Sequence, residues 1–259
     1  MQIYTTHKMF ENFHSEELNQ IKNKLRNKRT LNILRKSESQ NQIDFITSSH
    51  NQIDIRRRKE KNLNTCLKGH QGLVTHLLPV TNDLLASSSQ DNTIKLWKIS
   101  KNECLRTLIG HSSPISSLIK LDDDHIASSC SQSIIIWNIQ TGQVLKRNFD
   151  ETISLLLHFD ENKIIVYFQN TCGLFDSTTL ECIKWFKVAE NINFMIKINE
   201  VSISTASLNA LNLYNIESEE MKLLREHNEE IVDLKDVKNQ FISCTSREIF
   251  FWDKICSFV

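Results

Sequence analysis

The stretch SSSQDNTIKLW, from Ser87 to Trp97, returns in similar form as SSCSQSIIIWN, from Ser128 to Asn138. Each stretch contains an alternating apolar run that ends at a tryptophan, and the two tryptophans lie 40 residues apart. Self-similarity at this spacing indicates tandem copies of one supersecondary unit. The rest of the sequence is therefore best aligned on this period before single motifs are considered.

The period continues to the end of the sequence. Aromatic residues end short alternating runs in steps of 40, 38, 39 and 38 residues, and a polar residue follows each of them. These repeat-end aromatics are Trp97, Trp137, Phe175, Tyr214 and Trp252. A histidine precedes each tryptophan of this set, since His70, His111 and His227 lie 27, 26 and 25 residues before it.

Within one period the pattern is typical of β-structure. In the clearest unit, the runs LVTHLLPV, LLASSS, TIKLWKI and CLRTLIG are separated by the turn sequences TND, QDN and SKNE. A four-stranded antiparallel sheet that is apolar on both faces must be covered on both, and radial stacking of such sheets achieves this. The pattern predicts an all-β propeller.

Residues 69–259 resemble the WD-repeat family, whose units of about 40 to 45 residues carry Gly-His near the start and Trp-Asp near the end. Gly69-His70 and Gly110-His111 match the first motif. The resemblance implies a buried hydrogen-bonded tetrad, matched here by His70, Ser87, Asp91 and Trp97. We expect the histidine, held by the serine and the aspartate, to supply the acceptor that the buried indole N–H needs.

The other units depart from this pattern. Ser131 or Gln132 replaces the aspartate in the unit of Trp137, and Glu248 lies near its place in the unit of Trp252. The units that end at Phe175 and Tyr214 lack the histidine as well. We expect these degenerate units to depend mainly on apolar packing and to be the softer part of the molecule.

We predict about six four-stranded blades over residues 30–259, with the first and the middle blades degenerate. The clear repeats cover residues 66–107 and 108–146, and the degenerate ones cover 30–65, 147–184, 185–222 and 223–259. In the first blade, TLNILR at 30–35 serves as the first strand. Ile53 and Ile55 take the places of Ile94 and Leu96, and Arg56 takes that of Trp97.

Residues 1–29 form a predicted extension. Within it, residues 11–29 are expected to be an amphipathic helix that Ser15 caps, with Leu18, Ile21 and Leu25 on one face. We expect this face to pack on the propeller, and the groove of a partner protein is the alternative. The strand that completes the last blade is expected to be MQIYTT at the start of the sequence, with ICSFV at 255–259 as the competitor.

Composition limits the class of protein. Apolar residues make up 40% and charged residues 24%, and the seven cysteines include no C-x-x-C pair, so we expect no metal site. Residues 1–68 hold 14 basic and 7 acidic residues, so this part carries +7 and the remainder −7. No apolar run approaches the roughly 20 residues that span a bilayer. We expect no membrane contact and a cytoplasmic location, with the nucleus as the alternative.

Motifs that carry chemistry are absent from the sequence. His70, Ser87 and Asp91 are the residue types of a hydrolytic triad, but the repeat makes them buried partners of Trp97. LDDDH at 121–125 is expected to be a solvated turn rather than a cation site. The basic run RRRKEK at 56–61 has no interleaved aromatic residues to stack bases. We therefore expect no enzyme, no cofactor and no small-molecule substrate.

The resemblance implies a non-catalytic scaffold or adaptor that binds other proteins within a multiprotein complex. Its partners are expected at the face formed by the loops before each first strand and between each second and third strand. Beside Asp91, the binding candidates on this face are Gln71, Gly72, Gln90, Asn92, Ser112, Ser113, Asn228, Glu229 and Glu230. The alternative is a propeller associated with RNA or another nucleic acid through its basic amino-terminal part.

Overall fold

The computed structural model describes residues 43–57, 65–237 and 240–254, and every regular element in these ranges is a β-strand. Over these residues no helix is long and apolar enough to cross a membrane. The strands are β1 (Ile43–Ser49), β2 (Gln52–Arg57), β3 (Thr65–Lys68), β4 (Val74–Pro79), β5 (Leu84–Ser89), β6 (Thr93–Lys98), β7 (Glu103–Ile109), β8 (Ser117–Lys120), β9 (His125–Cys130), β10 (Ser133–Asn138), β11 (Val144–Asn148), β12 (Leu155–Asp160), β13 (Lys163–Tyr167), β14 (Thr171–Asp176), β15 (Cys182–Lys187), β16 (Ile192–Lys197), β17 (Ser202–Ser207), β18 (Ala210–Asn215), β19 (Met221–Glu226), β20 (Ile231–Val237), β21 (Gln240–Thr245) and β22 (Ile249–Asp253).

The strands form six antiparallel sheets in which each strand pairs with the next one along the chain. We call them blade 1 (β1–β3), blade 2 (β4–β7), blade 3 (β8–β11), blade 4 (β12–β15), blade 5 (β16–β19) and blade 6 (β20–β22). Blades 2 to 5 have four strands each, and blades 1 and 6 have three within the described residues. The prediction of an all-β propeller with about six blades is confirmed.

The blades are stacked side by side through their first strands. Contacts join β4 to β8, β8 to β12, β12 to β16 and β16 to β20, so these strands are the inner ones. β9, the second strand of blade 3, contacts β12, the first strand of the next blade. Strand β1 contacts β4 in the same way, so β1 takes the place of a second strand in blade 1. The predicted first strand at 30–35, the helix at 11–29 and both candidate closing strands, MQIYTT and ICSFV, lie outside the described residues.

Each repeat-end aromatic is buried in an apolar cluster that it shares with the preceding blade. Trp97 packs with Ile53 and Ile55 of blade 1, and Trp137 packs with Ile94 of blade 2. The same relation joins Phe175 to Ile134, Tyr214 to Ile165, and Trp252 to Leu211. The near-constant spacing of aromatics in the sequence therefore reflects one large side chain wedged at each boundary between blades.

The polar residue that follows each aromatic has a structural role in three blades. Asn138 Oδ1 accepts hydrogen bonds from the backbone N–H groups of Gln140 and Thr141, at 3.1 and 2.8 Å. Asp176 and Asn215 cap the equivalent turns in blades 4 and 5. These side chains stabilise tight turns in a chain that has only five glycines.

Candidate functional site

The four tetrad residues of blade 2 lie in one hydrogen-bonded chain. The indole Nε1–H of Trp97 donates to Ser87 Oγ at 2.7 Å, and Ser87 Oγ lies 2.7 Å from His70 Nε2. On the other side of the ring, His70 Nδ1 lies 2.9 Å from Asp91 Oδ2. The chain links the loop before β4, the second strand, the turn between the second and third strands, and the third strand.

The hydrogen bonds assign the protonation of this chain. Because Ser87 accepts from the indole, its own hydrogen is free to donate to His70 Nε2, so Nδ1 carries the proton donated to Asp91. The acceptor of the indole is therefore Ser87 and not the histidine, which differs from the sequence-based expectation. Burial lowers the pKa of His70 despite the nearby carboxylate. Burial also opposes ionisation of Asp91, but hydrogen bonds from Thr93, Gln71 N–H and His70 hold its pKa well below the ordinary range.

Blade 3 repeats the chain without a carboxylate. Trp137 Nε1–H donates to Ser128 Oγ at 2.8 Å, and Ser128 Oγ lies 2.7 Å from His111 Nε2. Ser133 Oγ lies 3.3 Å from His111 Nδ1, and so it takes the role of Asp91. The sequence pointed to Ser131 or Gln132 for this role, but Ser131 bonds Ser113 instead, because the turn is one residue shorter and the next strand begins closer to the ring.

Blade 6 has an incomplete chain. Trp252 Nε1–H donates to Ser243 Oγ at 2.8 Å, and Ser243 Oγ lies 3.2 Å from His227 Nε2. His227 Nδ1 is buried and has no hydrogen-bond partner among the described residues. Burial lowers the pKa of His227, and the neighbouring Arg225 lowers it further. The neutral ring is held mainly by packing, including an edge contact with Phe250 at 4.7 Å.

Blade 4 replaces the polar chain with an aromatic one. Phe149 lies 26 residues before Phe175, the same interval as His111 to Trp137, and the two phenyl rings meet edge to face at 5.5 Å. Trp185 packs on Phe175 at 5.6 Å. A Cβ atom on Gly173 would lie 2.3 Å from the Phe175 ring, so only glycine fits there. Phe149 was not predicted from the sequence, although its distance from Phe175 was a sufficient signal.

The loops that these hydrogen-bonded chains anchor form one face of the propeller, which we call the loop face. Gln71 and Gln90 are exposed there, while the backbone N–H of Gln71 donates to Asp91 Oδ2 at 2.9 Å. Gly72 lies so close to the opposite turn that a Cβ would be 2.7 Å from the backbone nitrogen of Asp91. Asn92 adopts a positive φ of 66°, which asparagine tolerates in turns.

The remaining candidates lie on the loop face of blades 3 and 6. Ser112 is exposed and Ser113 is half-buried. In blade 6, Asn228 and Glu230 are exposed, and Glu229 pairs with Arg247 at 2.9 Å. Within the described residues, no hydrogen bond or ion pair joins the candidates of one blade to those of another. They are three separate groups of loop residues on the same face.

The loop face also carries a cleft that was not predicted from the sequence. It has a volume of about 680 Å³ and lies where the second turn of blade 4 meets the loop that enters blade 5. Its polar lining includes Gln169, Asn170, Glu190, Asn191 and Asn193. These residues belong to the units that lack a histidine, so no repeat motif in the sequence indicated a function for their loops.

The geometry favours a structural role over a catalytic one for the triad-like residues. Ser87 is fully buried, and its oxygen is already engaged by Trp97 and His70. Asp122, Asp123 and Asp124 form an exposed turn between β8 and β9, in which Asp122 bonds His125 and backbone N–H groups. Within the described part of the chain, no group of three or more histidine, cysteine, aspartate or glutamate residues is placed to hold a metal ion.

Comparisons with known proteins agree with the repeat. A family model described as "WD domain, G-beta repeat" matches residues 61–98 and 102–138. Pre-mRNA-processing factor 17 of Saccharomyces cerevisiae is 34% identical over 111 residues, which are 38% of this chain and 24% of that protein. Pre-mRNA-processing factor 17 of Homo sapiens is 30% identical over 92 residues, or 34% and 16% of the two chains. Pre-mRNA-processing factor 19 of Mus musculus is 35% identical over 89 residues, or 33% and 18%.

The chain therefore matches at most about a quarter of the length of these curated relatives. Among solved structures, the computationally designed Ika8 protein superimposes with a TM-score of 0.65 at 22% identity, covering 84% of this chain and 69% of that one. This similarity supports the fold alone.

Proposed function

We propose that this chain, which belongs to the WD-repeat family, is a non-catalytic scaffold that binds other proteins within a multiprotein complex. One observation carries the proposal: a buried hydrogen-bonded chain fixes loops that present exposed side chains, such as those of Gln71 and Gln90. Loops that are fixed before binding lose little conformational entropy when a partner docks. Such loops are suited to recognition.

Blade 2 illustrates this arrangement. Asp91 accepts from both His70 and the backbone N–H of Gln71, and thereby joins the entry loop to the turn between β5 and β6. Gln71 and Gln90 project from the two joined segments into solvent. The side chains that could touch a partner are therefore supported from below by a buried network, as a rigid binding surface requires.

The names of the relatives suggest the kind of complex. Two are pre-mRNA-processing factors 17 and one is a pre-mRNA-processing factor 19. We propose by analogy that the partners of this chain are proteins of an RNA-processing assembly, which favours the nuclear alternative over the cytoplasmic location expected from the sequence. The scaffold itself is proposed to use neither a cofactor nor a small-molecule substrate.

Affinity purification of the tagged full-length chain from its source tests the proposal. Gln90→Arg on the loop face is compared with Gln140→Arg, which is also exposed and lies on the opposite face. We expect wild type and Gln140→Arg to recover the same proteins, and Gln90→Arg to lose at least one of them. Equal recovery by both variants would contradict the loop face, and catalytic turnover without any recovered protein would contradict the scaffold.

The second candidate function, binding of a nucleic acid, depends on the excess of basic residues in residues 1–68. Titration with single-stranded RNA at increasing salt distinguishes it from the scaffold. Binding that depends on phosphate contacts weakens steeply as salt rises. We expect no binding at physiological salt, and tight, salt-sensitive binding would favour this second function instead.

A further inference from the structure

Trp185 differs from the other three tryptophans of the chain. Trp97, Trp137 and Trp252 end repeats and are nearly fully buried, whereas Trp185 lies on β15 and is 50% exposed. Ile183, on the same strand, is 53% exposed. Large apolar side chains held half in solvent, tryptophan above all, are enriched where proteins bind one another.

Strand β15 is the outer edge of blade 4, since it pairs only with β14 among the described strands. At its end, the backbone N–H of Val188 donates to the carbonyl oxygen of Asn170. Bonded and non-bonded pairs alternate along an antiparallel ladder, so the backbone groups of Trp185 and Lys187 point away from β14. This edge offers unpaired N–H and C=O groups in the spacing that an added strand requires.

The side chains of this edge are apolar and basic. No acidic residue lies within β15, and Lys187 is exposed. The other lysine of the strand, Lys184, already bonds the carbonyl oxygen of Ile216 and pairs with Glu219 at 2.8 Å. Lysine on an edge strand discourages pairing with an apolar strand, because its charge would lose water without compensation. It favours a strand that brings a carboxylate.

Trp185 is held in place before any partner binds. Its ring packs on Phe168 at 5.3 Å and on Phe175 at 5.6 Å, and it lies across Gly173 of the neighbouring strand. The exposed side of the indole is therefore a fixed surface, and ordering it costs little on binding. The other outer strands that the structure describes lack this combination, since β3 and β11 have no aromatic residue and β7 and β19 each contain a glutamate.

We propose that the free edge of β15 binds an extended segment of a partner protein, which adds to blade 4 as a fifth strand and carries an apolar and an acidic side chain two residues apart on one face. An apolar residue of the segment packs on Trp185, and a carboxylate two positions along the segment pairs with Lys187, because Trp185 and Lys187 lie on the same face of the strand. The inference rests on the proposed scaffold function only in taking the ligand to be a protein. The surface itself is distinct from the loop face.

The test uses the full-length protein and a short fluorescent peptide in which valine and glutamate stand two residues apart with threonines between them, and a peptide with lysine in place of glutamate is the control. We expect the glutamate peptide to bind and to shift the indole N–H resonance of Trp185, identified by its loss in Trp185→Phe. The indole resonances of the three buried tryptophans should stay in place. Binding of both peptides with equal affinity, or of neither, would overturn the proposal.

Charge reversal on two outer strands locates the site. Lys187→Glu should weaken binding of the glutamate peptide roughly tenfold by replacing attraction with repulsion. Lys222→Glu, on the outer strand of blade 5, is the matched control and should leave binding unchanged. Equal losses in the two variants would indicate general electrostatic attraction and refute a site on β15.

Two further measurements separate this proposal from its competitors. Gln90→Arg on the loop face should bind the peptide like wild type, because the loop face and the edge of β15 are separate surfaces. If the peptide does not bind to β15, the loop-face prediction therefore still stands. A single-stranded oligouridine that shifts the Trp185 resonance more than the peptide does would overturn the proposal. That result would assign the edge to a nucleic acid, for which exposed aromatic and basic side chains are also suitable.

Discussion

The indole nitrogen of Trp97 is buried between two blades, so its hydrogen-bond partner decides how well the ring is tolerated there. Trp97→Ala should lower the free energy of unfolding by roughly 3 to 5 kcal/mol, because it removes the ring from the cluster shared with Ile53 and Ile55. Urea unfolding checks this value. A neutral effect would mean that the aromatic does not join the blades.

Asp91→Asn tests the polar end of the same chain. The amide keeps the size of the carboxylate but weakens the bonds from His70, Gln71 and Thr93, so unfolding should become easier by roughly 1 to 3 kcal/mol. Its cost should be smaller than that of Trp97→Ala in the same urea titration. The reverse order would indicate that the carboxylate, and not the aromatic wedge, dominates the stability of this blade.

His111 makes stability depend on pH. Burial, with a smaller effect of Lys146, lowers its pKa to about 4 from the ordinary 6.5. The unfolded chain therefore binds a proton between these values that the folded protein does not bind, and the stabilisation present above about pH 6.5 is lost as the pH falls towards 4. This group lowers the free energy of unfolding by up to about 2 kcal/mol between pH 7 and pH 5.

His111→Gln isolates that contribution from the other histidines. The variant should be less stable than wild type at pH 7, since the bond to Ser128 is altered, but its unfolding free energy should fall less between pH 7 and pH 5. Denaturant titrations at several pH values give both quantities. Parallel curves for the two proteins would show that His111 does not titrate as its burial requires.

At the scale of one blade, Gly173 shows how blade 4 maintains its packing without a polar chain. Gly173→Ala would put a Cβ 2.3 Å from Phe175, whereas the Cβ of Gly69→Ala would lie 3.2 Å from Trp97. The first substitution must displace an aromatic ring and should cost roughly 1 to 3 kcal/mol in thermal or urea unfolding, clearly more than the second. Equal costs would show that the ring yields easily.

Comparison of the blades explains which features the sequence could predict. The spacing of the aromatics predicted one large side chain at each contact between neighbouring blades, but the predicted limits of the repeats fall within the outer strands β3, β7, β11, β15 and β19. The partner of His111 could not be predicted, because Ser133 approaches the ring only after the turn is shortened by one residue. Trp185 was missed for a related reason: it lies outside the period, and its exposure follows from the position of β15 at an edge.

Across the whole molecule, blades 2, 3 and 6 contain a polar chain and blades 4 and 5 do not, so local stability should differ between these two groups. His70 ties the loop that enters blade 2 to Asp91, whereas Val188, 26 residues before Tyr214 at the start of the loop that enters blade 5, has a side chain that makes only apolar contact. A hydrogen bond to a charged group contributes about 1.5 to 3 kcal/mol, so the loop with Val188 should open more often.

Hydrogen exchange measured by mass spectrometry tests this difference. Relative to intrinsic rates, amides at 189–191 should exchange at least about tenfold faster than those at 71–74, since about 1.4 kcal/mol of local stability corresponds to that factor. Ile192 is left out because its backbone N–H donates to the Tyr167 hydroxyl at 3.1 Å. Asp91→Asn should accelerate exchange only in the loop at 71–74, so the difference in exchange rate between the two loops should become smaller. If exchange is already equal in wild type, the buried chains do not stiffen the loop face, and the physical basis for the scaffold proposal is lost with them.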